Sequence, residues 1–191
     1  MSLAIIPYGN KILRTACNTV LPDYKTEQLI KEMWATLDST GGIGLAAPQV
    51  DKALKLFIVD SKKLYNNLTE EGRRRFWGDE GIQETFINAQ MISYSKETWT
   101  EPETCLSLPR IKIDVPRPIS IRLRYQDANM EWQEKDFGGM TARVIQHEYD
   151  HTFGKLHIDY IKKSNKPLFY SIKLKRVLKG KVITKYKMHY N

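Results

Sequence analysis

The 191-residue chain has few cysteines, no long apolar run and no acidic residue in its last thirty positions. Two cysteines, Cys17 and Cys105, are too few for the disulfide framework of a small secreted protein. Because no stretch of about 18 apolar residues occurs, we expect no membrane-spanning helix. The opening residues lack the basic start and apolar stretch of a secretory signal. These absences predict a cytoplasmic protein with free thiols, which can bind metal ions.

The formal net charge of +8 is concentrated at the C-terminal end. Residues 162–191 contain ten Lys or Arg and no Asp or Glu, whereas residues 1–161 contain 20 basic and 22 acidic side chains. The basic tail, residues 164–191, is expected to form a helix from about Pro167 to Leu178 and then a strand. A solvated surface is its ordinary interpretation, and attraction to a polyanion such as ribosomal RNA is the alternative. We expect no sequence-specific DNA binding.

The apolar periodicity predicts an α+β fold. A helix is expected over residues 26–39, and a second helix should span residues 139–153 and end at Gly154. Four short strands are expected between the helices, at residues 54–60, 85–95, 119–126 and 131–137. No repeat or Gly/Ser linker interrupts this order. We therefore predict a single domain over residues 1–191, in which antiparallel strands pack around the second helix.

The stretch QHEYDHTFGKLH, residues 146–157, contains the metal-binding spacing H-E-x-x-H. His147 and His151 are four positions apart, so on a helix both imidazoles lie on the same side. Glu148 can then reach a water on the metal without being a ligand, as a general base must. The stretch also matches the longer pattern H-E-x-x-H-x-x-G-x-x-H, in which His157 would be the third ligand of a metal endopeptidase.

A catalytic metal of this type needs three protein ligands, and both His157 and Cys105 are candidates for the third. A three-histidine protease also needs a methionine turn well downstream, whereas the only later methionine here is Met188. The sequence GKLHIDYI around His157 is typical of a strand and predicts a surface or partly packed histidine. Cys105, in EPETCLSLPR, would supply a soft anionic thiolate. Spacing alone does not choose between the two.

Three segments together carry a resemblance: GIGLAAPQ (residues 42–49), ETCLS (103–107) and QHEYDH (146–151). Their order and approximate spacing are similar to those of the peptide deformylase family. Two positions depart from its usual pattern, because Thr104 stands in place of a glycine and Ala89 in place of a proline. The resemblance implies a metal-dependent hydrolase that removes the N-formyl group from formyl-methionyl peptides.

The resemblance also implies roles for individual residues. One divalent metal would be held by three ligands: Cys105, His147 and His151. It would be Fe(II) in the cell, which zinc, nickel or cobalt can replace in purified protein. Glu148 would transfer protons, while the Gln49 side chain and the Leu106 N–H would stabilise the oxyanion.

Further residues are expected to bind the substrate, to support the site or to bind a partner. The residues expected to contact the substrate are Gly42, Ile43, Gly44, Met140 and Val144. An extended peptide could pair with the strand that contains the first three. Asp150 is expected to pair with Arg117 and to hold the helix that carries the histidines. The residues expected to contact the ribosome are Lys173, Lys175, Arg176, Lys179 and Lys181.

Overall fold

The computed structural model describes residues 2–161 and 168–190. The helices are α1 (Tyr24–Thr40), α2 (Ser61–Asn66), α3 (Glu70–Arg73), α4 (Gly139–Thr152) and α5 (Leu168–Leu178). The strands are β1 (Gly44–Ala46), β2 (Leu56–Asp60), β3 (Gln83–Tyr94), β4 (Thr98–Cys105), β5 (Leu108–Pro118), β6 (Ser120–Gln126) and β7 (Trp132–Gly138). Among the described residues, no helix combines the length and apolar character needed to cross a membrane.

Antiparallel pairing organises the strands into two sheets. Five strands pair in the order β1-β2-β3-β6-β7, which leaves β1 at one edge. β4 and β5 form a separate hairpin, in which Cys105 pairs with Leu108 and the turn therefore contains only residues 106–107. Alternating buried and exposed positions along β5 and β6 show that one face of each strand packs inward. The predicted α+β fold with antiparallel strands is confirmed.

Helix α4 lies between the five-stranded sheet and the β4–β5 hairpin. Ala142 and Ile145 belong to an apolar cluster with residues of β2, β3, β6 and β7. On the hairpin side, Arg143 donates to the carbonyl oxygens of Val115 at 2.9 Å and Trp99 at 2.8 Å. Residues four apart on a helix share a face, so the side that carries Arg143 also presents positions 147 and 151 to the hairpin.

Helix α1 fixes the chain that leads into the edge strand β1. Its apolar residues Met33 and Leu37 belong to a buried cluster with Leu45 of β1 and Ile58 of β2. The helix ends at Gly41, which has a left-handed conformation with φ of 73° and turns the chain toward β1. The segment GIGLAAPQ is therefore anchored at both ends by core packing.

The C-terminal tail differs in part from its prediction. The helix α5 ends at Leu178, as predicted, and its predicted first residue, Pro167, lies outside the described residues. Val177 of α5 belongs to a buried cluster with residues of β5. The predicted strand after α5 is wrong, because this segment makes only an isolated parallel bridge between Ile5 and Met188. A single paired position is too short to extend a sheet.

Candidate active site

Three side chains that can bind a metal converge between the hairpin and α4. Cys105 ends β4, and His147 and His151 project from α4. Their potential ligand atoms all lie within 4.8 Å of one another, and all three residues are buried. The Cys105 Sγ is 3.3 Å from the His151 Nε2. One thiolate and two imidazoles fit a soft or borderline divalent cation, with a fourth position left for water.

The orientations of both imidazoles suit metal binding. The His147 Nδ1 is 2.8 Å from a carboxylate oxygen of Glu103, so the His147 Nε2 is left for a metal. The His151 Nδ1 is buried and has no hydrogen-bond partner within the described part of the chain. Burial lowers the pKa of His151 well below its ordinary value. Its ring is therefore neutral, which is the form that binds a metal.

Glu103 is the centre of a buried ionic network that sequence reasoning did not connect to His147. Arg117 donates to both of its carboxylate oxygens, at 2.6 and 3.0 Å, and Arg143 donates at 2.7 Å. Burial alone would raise the pKa of Glu103, but hydrogen bonds with His147 and Arg117 hold it well below its ordinary value. One signal was present, since Glu103 is two positions before Cys105 and side chains two apart on a strand share a face.

Arg117 links this network to the end of α4. Its guanidinium donates to Asp150 at 2.9 Å and to the Tyr160 hydroxyl at 3.1 Å, and it is only 2% exposed. The structure therefore brings together Arg117 and Asp150, which the sequence analysis paired. Removing one member of a buried ion pair leaves an uncompensated charge, which typically costs about 3–5 kcal/mol. The network fixes α4 against the hairpin that carries Cys105.

Glu148 lies beside the three potential ligands and faces an open cavity. Its side chain is buried, and its Oε2 has no hydrogen-bond partner among residues 2–161 and 168–190. Burial raises the pKa of Glu148 to about 7. A Cβ atom on Gly44 would lie 2.5 Å from the Glu148 Oε1, so only glycine leaves room for this carboxylate. This close approach explains the second glycine of GIGLAA.

Gln49 and Leu106 both lie next to Cys105. The Gln49 Oε1 accepts a hydrogen bond from the Ala46 N–H at 2.8 Å, so its amide nitrogen points toward the hairpin turn. That nitrogen is 3.5 Å from the Cys105 Sγ and 3.4 Å from the Ser107 Oγ. Leu106 is the first residue of the turn. The structure thus places both predicted oxyanion donors next to the potential ligands.

A cavity of about 560 Å³ opens onto these residues. Its lining residues include Gly42, Ile43 and Gly44, the three that were predicted to contact the substrate. Met140 and Val144 are not among the lining residues. Val144 instead packs in the cluster between α4 and the five-stranded sheet. Residues 183–186 of the C-terminal tail also line the cavity, which sequence reasoning missed.

Thr104 also lines the cavity, and its substitution for glycine fits the backbone. It lies within β4, and its φ is not positive. Because threonine is β-branched, it favours such an extended backbone. The pairing of β4 with β5 shifts register at this position, between Glu103 and Cys105.

His157 differs from its prediction in structure and in burial. It begins a 3₁₀ turn, His157–Tyr160, instead of lying on a strand, and it is 1% exposed instead of lying at the surface or being only partly packed. Its ring centroid is 5.6 Å from that of His147, yet it is not part of the group of potential ligands found among the described residues. The backbone turns after Gly154, whose φ is 69°, and directs Leu156 and Ile158 into the cluster beneath the hairpin. The geometry therefore does not assemble the three-histidine site.

Comparisons with known proteins agree with this arrangement. The family model of polypeptide deformylase matches residues 2–167. The peptide deformylase of Flavobacterium psychrophilum is 38% identical over 98% of this chain and 96% of its own length.

A crystal structure of peptide deformylase from Thermotoga maritima matches with a TM-score of 0.73 and 31% identity, over 85% of this chain and 99% of that one. A structure of the Acinetobacter baumannii peptide deformylase with bound Met-Ala-Ser matches with a TM-score of 0.74 and 28% identity, over 84% and 99% of the two chains. These findings confirm the predicted family. The chain belongs to the polypeptide deformylase family, the metal-dependent hydrolases that remove the formyl group from nascent peptides.

Proposed function

We propose that this chain deformylates formyl-methionyl peptides at the site between α4 and the β4–β5 hairpin. The observation that carries the assignment of the residues is their convergence on one cavity. The potential ligands Cys105, His147 and His151 lie within 4.8 Å of one another, and Glu148 lines the same cavity. Each belongs to one of the segments that the family resemblance identified.

The three ligands would hold one divalent metal ion. Such an ion lowers the pKa of water and polarises the formyl carbonyl. We propose Fe(II) as the ion in the cell, with zinc, nickel or cobalt as substitutes in purified protein, since all of them accept sulfur and imidazole ligands. Glu103 supports the role of His147 as a ligand, because its carboxylate orients the His147 ring and increases the basicity of the imidazole.

Glu148 would transfer the protons of the reaction. Its unpartnered carboxylate oxygen can accept a proton from the attacking water, and the same group can then protonate the leaving amine. A general base works best when its pKa is near the working pH, and burial brings the pKa of Glu148 to about 7 in the chain itself. Gly44 leaves the space in which this carboxylate lies.

Gln49 and Leu106 would stabilise the negative charge that develops on the formyl oxygen. The Gln49 amide nitrogen is held toward Cys105 by the bond that its oxygen accepts from Ala46. The Leu106 N–H lies in the two-residue turn that follows Cys105. Two donors fixed before the reaction need no reorganisation in the transition state, which is why such donors are effective.

The edge strand β1 would bind the peptide. β1 is at one end of the five-stranded sheet, and Gly42 and Ile43 continue its line into the cavity. A substrate chain can add to such an edge through backbone hydrogen bonds. The methionine side chain would then lie against Ile43, which packs on the cluster that contains Val144. Val144 would then support this wall from behind.

Metal analysis coupled to formate release tests the proposed function. Protein purified without oxygen is expected to carry about one iron ion per chain and to release formate from formyl-Met-Ala-Ser. Removal of the metal with a chelator should abolish the release, and Fe(II) should restore it. Acetyl-Met-Ala-Ser is the matched control and should yield no acetate. Metal-loaded protein that releases no formate would overturn the proposal.

The basic tail supports a proposal about a partner. We propose that the exposed cations of α5 and the following turn contact ribosomal RNA in the cytoplasm, where nascent chains emerge. Five exposed basic residues belong to this group: Lys173, Lys175, Arg176, Lys179 and Lys181. The attraction between such cations and phosphate groups weakens as the salt concentration rises, and each further contact increases the affinity.

Replacing Lys175, Arg176 and Lys179 together with glutamine is expected to weaken cosedimentation with ribosomes. The slope of log affinity against log salt should fall by about one for each phosphate contact that is lost. The matched control replaces three exposed lysines elsewhere, Lys25, Lys31 and Lys52, with glutamine. Equal binding by the two triple variants would contradict a specific role for the tail.

A further inference from the structure

The C-terminal segment, residues 181–190, lies against the active site although it is outside the part of the chain that matches the family model. That match ends at residue 167. Four residues of the segment, 183–186, form one wall of the cavity that also contains Glu148 and Gln49. The segment therefore supplies a wall of the cavity from outside the residues that the family model matches.

Backbone hydrogen bonds attach the segment to the N-terminal residues. The Ile5 N–H donates to the Lys187 carbonyl oxygen at 2.9 Å, and the His189 N–H donates to the Ile5 carbonyl oxygen at 2.9 Å. The next residue, Ile6, donates its N–H to the Gln49 carbonyl oxygen at 2.8 Å. The same short N-terminal stretch thus contacts both the segment and Gln49, so the segment has a defined position relative to the site.

Tyr186 makes a direct contact with the turn that contains the proposed oxyanion donor. Its hydroxyl donates to the Leu106 carbonyl oxygen at 2.8 Å. The carbonyl oxygen of the other turn residue, Ser107, accepts from the Tyr8 N–H at 2.8 Å. The two carbonyl groups of the turn are therefore held from opposite ends of the chain. Burial raises the pKa of Tyr186, which keeps its hydroxyl protonated and able to donate.

We propose that Tyr186 is a positioning residue for deformylation, which acts by fixing the peptide groups around Leu106. The N–H and the carbonyl of Leu106 share one Cα, so anchoring the carbonyl restricts the rotations that would turn the N–H away from the formyl oxygen. A donor contributes to catalysis only when it points at the developing charge. This inference rests on the proposed role of the Leu106 N–H as an oxyanion donor.

Tyr186→Phe removes the hydroxyl and keeps the ring in the cavity wall. We expect kcat for formate release to fall by about 3- to 10-fold, the effect of one net hydrogen bond. KM should stay within about twofold of the original value, because the loss is confined to the transition state. Metal content should not change, and Tm should fall by no more than about 2–4 °C, the effect of losing about 1 kcal/mol in a chain of this size. The matched control is Tyr190→Phe, since the Tyr190 hydroxyl contacts the Met188 sulfur at 3.2 Å and lies outside the cavity wall.

Two results would overturn the inference. One is an unchanged kcat in Tyr186→Phe. The other is a fall in kcat that is matched in Tyr190→Phe, or accompanied by loss of metal or by a fall in Tm of more than about 4 °C, which indicates a general structural effect. Leu106→Pro separates this inference from the role on which it rests, because proline has no N–H. If Leu106→Pro keeps its metal and loses kcat while Tyr186→Phe does not, only the inference about Tyr186 fails. If metal-loaded Leu106→Pro keeps its kcat, the oxyanion role of Leu106 fails as well.

Discussion

Replacing Glu148 with glutamine is expected to lower kcat by about 10²- to 10⁴-fold, the usual contribution of a general acid–base group. Glutamine has nearly the same shape as glutamate, so it can occupy the space beside Gly44 without disturbing the helix. It cannot accept a proton from water, however, and it cannot return one to the leaving amine. Because Glu148 is not among the three clustered ligand residues, metal content should remain unchanged.

The measurement is kcat for formate release together with metal per chain, on protein prepared in parallel with the original. The matched control is Glu134→Gln, the same chemical change on the exposed side of β7, where Glu134 pairs with Arg122. That variant should keep full activity, since exposed ion pairs contribute little. Glu148→Gln that keeps more than about a tenth of the activity would exclude a general-base role. Loss of metal would instead indicate that Glu148 is a ligand.

The residues on α4 were predictable because their relation is local. His147 and His151 share a face through helix geometry, and Glu148 follows directly. Cys105 is different, since about forty residues and several strands separate it from the histidines. Spacing could not choose it over His157. The lack of a methionine turn argued against His157, and the resemblance of the segment ETCLS favoured Cys105. The structure supplies the physical reason, which is that the hairpin β4–β5 packs directly on the histidine face of α4.

Two features could not be predicted because they depend on contacts between distant parts of the chain. The alternation of Leu156, His157 and Ile158 is compatible with a strand, but the chain turns back after Gly154 and buries these residues beneath the hairpin. The C-terminal segment likewise has a strand-like sequence. Its position is determined by a single bridge to Ile5 and by the hydrogen bond from Tyr186, neither of which leaves a periodic signal.

Replacing Cys105 with alanine is expected to remove the metal and, with it, the activity. Mutation of a residue that merely supports a ligand typically costs 10- to 100-fold in metal affinity, so loss of a ligand should cost more than about 100-fold. The Cys105 Sγ also accepts from the Gln49 amide and lies against the His151 Nε2. Metal per chain, measured after desalting, and kcat for formate release should therefore fall together.

His157→Leu is the matched control, because it removes the other candidate for the third ligand. His157 is buried, and neither of its ring nitrogens has a hydrogen-bond partner of good geometry among the residues that the structure describes. An unsatisfied buried polar group typically costs about 1–3 kcal/mol, so leucine should preserve or increase the free energy of unfolding. If His157→Leu keeps metal and activity while Cys105→Ala loses both, the Cys105 thiolate is the third ligand. The reverse result would identify His157 as the third ligand. The contacts of the Cys105 Sγ with Gln49 and His151 would then have a role other than metal binding.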